Sequence, residues 1–173
     1  MIQTILFATD LGPFSAHAME HTVDLAVSHR ARVVVVHAVE PLNSFAQAMV
    51  STYLDETTSP GDGSAPLLAS IKSRILRSLA DECSDSDLSF EYFSDVCVVQ
   101  GRPAEVILRE ANRVGADLIV MGSHGPEAMG NNMLGSVTSR VLQLSKVPVY
   151  MVPMISPRNW CKLSDEGVYH RGA

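Results

Sequence analysis

Short β-branched runs alternate with segments of helical period through most of this chain, and few architectures accept that rhythm. When a helix lies between two strands it carries the chain back to the end where the first strand began, so the strands pair in parallel. The expected fold is α/β: a single doubly wound, Rossmann-like sheet of five parallel strands in the order 3-2-1-4-5, with helices on both faces.

Strand 1 is expected over Ile2 to Ala8, followed by a helix from Ser15 to about His29 that buries Ala16, Met19, Val23, Ala26 and Val27. Arg32 to Ala38 reads as strand 2. The pattern then loosens over residues 39–65, a flexible insertion in which Ser44 to Tyr53 could form a short helix and TTSPGDGSAP (57–66) is dense in turn formers. A helix from about Pro66 to Ala80 lines up Leu68, Ile71, Ile75 and Leu79, and Phe90 to Val99 is strand 3. Pro103 suits the first position of the next helix, with Ala104, Ile107, Leu108, Ala111 and Val114 on its buried face and Gly115 at its end. Asp117 to Met121 reads as strand 4, Ser136 to about Leu144 as the last helix, and Val147 to Val152 as strand 5, placed at a sheet edge because Pro148 cannot donate a ladder bond. The reading is one domain over residues 1–153 and a tail, 154–173, that holds the only Trp, Trp160.

A length of 173 residues supports one well-buried core, and a net charge of −6 without any Lys/Arg cluster argues against a nucleic-acid surface or an anionic membrane as partner. Cys83, Cys97 and Cys161 are widely spaced and odd in number, which implies neither a disulfide framework nor a zinc site. The opening MIQTILFATD has no export signature, and the longest apolar run, Val33 to Val36 extended by Ala38 and Val39, is far too short to span a bilayer. A soluble, cytoplasmic protein with no membrane insertion is expected.

In a 3-2-1-4-5 sheet the switch point lies between strands 1 and 4, and ligands bind beyond the carboxyl ends there. Strand 1 delivers Thr9 and Asp10 to that crevice. Strand 4 runs into MGSHGPEAMGNNMLGS, in which Gly122, Gly125, Gly135 and Ser136 form the pattern G-x2-G-x9-G-S ahead of a helix. Glycines let main-chain N–H groups approach an anion, and the helix beginning at Ser136 aims its free amides at the same place. This is a phosphate cradle, and Asp10 is suited to accept hydrogen bonds from ribose hydroxyls.

The glycine pattern, preceded by GADLIVMGSHG and followed by VTSRVLQLSKVPVYMVP, together with ATD after strand 1 and GRP before the third main helix, resembles the universal stress protein family in its ATP-binding branch over Ile2 to Pro153. The resemblance implies that Ala8, Thr9 and Asp10 hold adenosine, with Asp10 on the ribose, and that Ala38, after His37, meets adenine through its backbone. It also implies that Met121 and Gly122 close the nucleoside pocket and that His124, Gly125, Gly135, Ser136, Val137 and Thr138 line the phosphate path. Ala8 stands where relatives often have proline. Between Ser123 and Ser139 there is no Lys or Arg, Glu127 adds a negative charge, and Gly130, Asn131 and Asn132 loosen the loop. A triphosphate would then rely on amides, the helix dipole, Arg140 and Mg²⁺, so AMP, ADP or a cyclic nucleotide stand beside ATP as ligands.

Each signal has a plainer reading. Asp10 could be a turn or capping aspartate ahead of Gly12 and Pro13, and Ser136 an ordinary N-cap. His17 and His21 have a metal-binding spacing, but with Asp24 and Ser28 they read as a solvated helix face. His37 reads as a hydrogen-bonded structural histidine, Cys97 as inert core, and Cys161 as the more reactive thiol. His124 lies within the cradle without the nucleophile and carboxylate of a hydrolase triad. Three functions stay open: an adenine-nucleotide-binding regulatory protein of the stress response, a nucleotide-free protein acting through dimer and partner contacts, and a slow ATPase or self-phosphorylating protein using Ser136 or Thr138. For the last there is no Walker motif, and catalytic residues are not assigned. Strand 5, apolar and at the edge, is expected to pair with its twin in a homodimer.

Overall fold

Five strands line up in the order β3-β2-β1-β4-β5, and every pairing is parallel, as the alternation demands. The structure is a computed structural model and describes residues 1–12, 15–41, 65–84, 90–124 and 134–153. The strands are β1 (Thr4–Ala8), β2 (Arg32–Val39), β3 (Phe93–Gln100), β4 (Leu118–Gly122) and β5 (Val149–Val152). The described helices are α1 (Ser15–His29), α2 (Ala65–Ser84), α3 (Pro103–Val114) and α4 (Ser136–Leu144).

The alternation of side chains along β1 and β2 divides the core in two. Ile5, Phe7, Val33 and Val35 pack under α1 and α2 with Met19, Val23, Ile75 and Leu79. Leu6, Ala8, Val34 and Val36 pack on the other face with Val106 and Ile107 of α3 and Val141 of α4. Both faces of the central strands are thus covered, which is why TILFA is buried at every position.

Three details differ from the sequence reading. The buried stripe of α1 is Ala18, Met19, Thr22, Val23 and Ala26; Ala16 is only partly buried and Val27 is 49% exposed. Thr22 enters the stripe because its hydroxyl donates to Ala18 O, so that buried hydroxyl is paired. Residues Phe90–Tyr92 form a 3-10 turn, so β3 begins at Phe93. Pro148 precedes β5 and does not lie within it; its carbonyl accepts the Ile119 N–H at 3.0 Å. The edge position of β5 nonetheless holds.

Pro103 opens α3 as expected, and Gly115 ends it in the left-handed region (φ 62°, ψ 47°). At the amino ends of the strands the Asp117 carboxylate accepts the N–H groups of Gln3 and Thr4, at 2.8 and 3.0 Å. These backbone bonds hold its pKa below the ordinary value. The expected helix over 44–53, most of the insertion, and the tail 154–173 lie outside the described residues.

Candidate functional site

A cavity of about 370 Å³ opens at the carboxyl ends of β1 and β4, at the switch point. β1 contributes Ala8 to it and continues into Thr9 and Asp10; β2 contributes His37 and Ala38; β4 contributes Met121 and Gly122, followed by His124; α4 contributes Val137 and Thr138. The structure therefore brings together nine of the expected site residues. Gly135 and Ser136 lie just outside these walls at the start of α4, and Gly125 lies outside the described residues.

β1 ends in a tight local network. Thr9 N–H donates to Val36 O at 3.0 Å, which keeps it in line with the sheet. Its hydroxyl oxygen accepts the Leu11 N–H at 3.1 Å, and Asp10 Oδ1 accepts the Gly12 N–H at 2.8 Å. The turn role weighed for Asp10 is thus real, and the same residue lines the cavity. His37 is hydrogen-bonded, as expected: its Nδ1 lies 2.9 Å from Thr9 O. A carbonyl only accepts, so Nδ1 carries the proton, and in the neutral ring Nε2 is the acceptor.

The opposite wall is built by the end of β4 and the start of α4. Gly135, not Ser136, is the N-cap, with Ser136 at the first helical position and no side-chain capping bond. Gly135 N–H donates to Ser123 O, and Ser139 N–H makes the first intrahelical bond, to Gly135 O. Helix geometry then leaves the N–H groups of Ser136, Val137 and Thr138 without intrahelical acceptors, beside the cavity. Thr138 is buried and its hydroxyl donates to Gly122 O at 3.0 Å, so that proton is committed to joining α4 to β4. The Ser136 hydroxyl remains on an exposed residue. His124 shares a 2.8 Å hydrogen bond between Nδ1 and Ser123 Oγ, while its Nε2 is buried without a partner among the described residues.

Lining residues that the sequence reading did not assign to the site include Gly12, Ser15, Pro103 and Ile107. The last two come from the first turns of α3, which helical periodicity marks only as core; their nearness to the cavity depends on how α3 crosses the sheet. Gly12 carried a signal, since it follows Asp10 in a turn.

The stripe of His17, His21, Asp24 and Ser28 is solvated only at Asp24 and Ser28. Both histidines are half-buried, their ring centroids are 4.8 Å apart, and His21 Nδ1 shares a 3.2 Å hydrogen bond with the Tyr150 hydroxyl of β5. Among the described residues no three His, Cys, Asp or Glu side chains are grouped to hold a metal ion. Cys97 also departs from expectation. It is half-buried in a groove along the β3 edge, where Arg113 donates to its sulfur at 3.1 Å and burial, then Asp95, push the thiol pKa up. No described helix is long and apolar enough to cross a membrane.

Comparison with known proteins agrees with this architecture. The profile of the Universal stress protein family matches residues 1–153. A Thermus aquaticus protein, the universal stress protein in the QAH/OAS sulfhydrylase 3' region, is 32% identical over 152 residues, covering 88% of this chain and 99% of its own. Universal stress protein MJ0577 of Methanocaldococcus jannaschii is 27% identical, with 88% and 95% covered. Among solved structures, that of the hypothetical protein MJ0577 has a TM-score of 0.65 at 23% identity, covering 90% of this chain and 99% of its own. A universal stress protein in complex with cAMP has a TM-score of 0.59 at 25% identity, covering 89% and 98%.

Proposed function

The chain belongs to the universal stress protein family, and from that premise we propose that it is a regulatory protein of the stress response that binds an adenine nucleotide, ATP first among them, at the β1/β4 switch point. The observation that carries this reading is the cavity itself, which has the Asp10 carboxylate on one side and the free amides of α4 on the other. A ribose needs an acceptor, a phosphate needs donors, and the two walls offer them in that order across an apolar floor of Ala8, Ala38 and Met121. The buried Nε2 of His124 adds a polar atom that lacks a partner among the described residues. A similar structure holds cAMP, which keeps cyclic nucleotides and AMP among the competitors. Mg²⁺ would arrive on the phosphates of ATP.

The same protein pairs with a second copy through β5 in this reading. Tyr150 and Met151 of β5 are each 37% exposed, and neither is charged. Leu142 and Leu144 of α4 are further exposed apolar residues. A nucleotide-independent role through this edge is the second reading, and these exposed residues favour it.

Calorimetric titration of nucleotide-stripped protein with ATP, with and without Mg²⁺, and with AMP and cAMP, tests the proposal. Saturable heat is expected, with affinity markedly weakened but still measurable in Asp10→Ala. A folded protein that gives no heat with any of the three would end the nucleotide reading and leave the β5 edge as the functional surface.

A further inference from the structure

Asp10 sits in a turn whose next two residues are each unusual in a different way. Leu11 has φ 61°, a left-handed backbone that a leucine rarely adopts. Gly12 does not take a left-handed φ, so backbone conformation does not require glycine there. A Cβ at Gly12, however, would lie 3.0 Å from Asp10 Oδ1 and 3.3 Å from Oδ2. The carboxylate lies over the position that a side chain would fill.

These facts fit together. The left-handed turn at Leu11 brings the Gly12 N–H back onto Asp10 Oδ1, and the missing Cβ lets the carboxylate settle against the main chain. Thr9 supports the turn by accepting the Leu11 N–H. One carboxylate oxygen is then anchored, and Oδ2 has no hydrogen-bond partner among the described residues. We propose that Leu11 and Gly12 are positioning residues that fix the Asp10 carboxylate for the ligand, Leu11 through its left-handed backbone and Gly12 through its lack of a side chain. The inference rests on the nucleotide reading for its ligand, but the anchoring itself is a property of the free protein.

Three variants test it, each made alone and on Asp10→Ala. Gly12→Ala keeps an allowed backbone and displaces the carboxylate. Leu11→Ile forces a β-branched residue into the left-handed region, whereas Leu11→Asn suits that region and serves as the rescue. ATP affinity should fall about tenfold in Gly12→Ala and in Leu11→Ile, and stay within about twofold of native in Leu11→Asn. The melting temperature of Gly12→Ala should stay at the native value. Neither Gly12→Ala nor Leu11→Ile should weaken binding further once Asp10 is alanine.

Hydrogen exchange of the residue 12 amide gives a readout that needs no nucleotide. Its protection should be present in the native chain and in Leu11→Asn, and lost in Asp10→Ala, Gly12→Ala and Leu11→Ile. Native affinity in Gly12→Ala, equal weakening with and without Asp10, or unchanged amide protection in Gly12→Ala would overturn the inference. Normal amide behaviour in a chain that binds no nucleotide would sink the nucleotide reading and leave the anchoring of Asp10 standing.

Discussion

Thr138 and Ser136 stand two residues apart on α4, and their hydroxyls serve different ends. The Thr138 hydroxyl is buried and bonded to Gly122 O, while Ser136 caps nothing with its side chain. Thr138→Val should therefore cost about 1 kcal/mol by leaving the part-buried Gly122 carbonyl without this donor, whereas Ser136→Ala should leave stability unchanged. Urea denaturation of both variants checks this. Asp117 makes a second residue-scale case. Its folded pKa is lowered by the Gln3 and Thr4 amides, so its contribution is present above the ordinary value of 3.8 and is lost as pH falls through the folded pKa. Asp117→Asn should flatten the acid limb of stability measured from about pH 5 down to about pH 2, and native-like loss in that variant would assign the limb to other carboxylates. The direction of the Thr138 hydroxyl could not be read in advance, because it depends on where the first turn of α4 meets the end of β4. Asp10 was legible both as a turn residue and as a residue at the switch-point cavity, since a carboxylate after a core strand and before a glycine invites each placement.

At the scale of elements, the order of the strands and the positions of the four strand-to-strand crossovers follow from apolar period and from punctuation by Gly and Pro. Gly115 shows why punctuation reads so well. Its left-handed backbone ends α3, and nothing lies within 4 Å of where a Cβ would be, so the backbone angle alone calls for glycine. Gly115→Ala should cost about 1 kcal/mol and lower the melting temperature, with Gly115→Asn costing less. Calorimetric melts of the two variants decide it, and a neutral Gly115→Ala would mean that the helix end can shift to accommodate a side chain. Phase within an element reads less well. Alanines at 16, 18 and 26 leave the rotation of α1 open to about one residue, and only packing on the sheet selects Ala18 and Thr22 over Ala16 and Val27. The start of β3 was likewise hidden, because FEY has strand-like composition but turns before the sheet begins.

At the scale of the whole molecule, the five-stranded sheet of the described residues has two edges, and they are treated differently. Along β3 the Val96 N–H donates to Asp95 Oδ1, Lys72 approaches the same carboxylate at 3.5 Å, and Arg113 is held beside it by Glu110 and Cys97. Such charges discourage another strand from adding there. β5, VYMV, carries no charge and exposes Tyr150 and Met151. Pairing through β5 predicts that Met151→Lys shifts sedimentation from dimer to monomer without lowering helix content. A native chain that sediments as a monomer at high concentration would remove the pairing from the account.

Under the proposed pairing through β5, the unequal edges of the described sheet would also set where growth stops. A sheet with two bare sides can add neighbours without end, as a filament does; with one side bare, the first two-fold encounter consumes it and exposes charged strands to the outside. In a pair formed through β5 as proposed, the Asp95 carboxylate would act as a terminator together with Lys72 and Arg113, and its loss in Asp95→Val would weaken that stop.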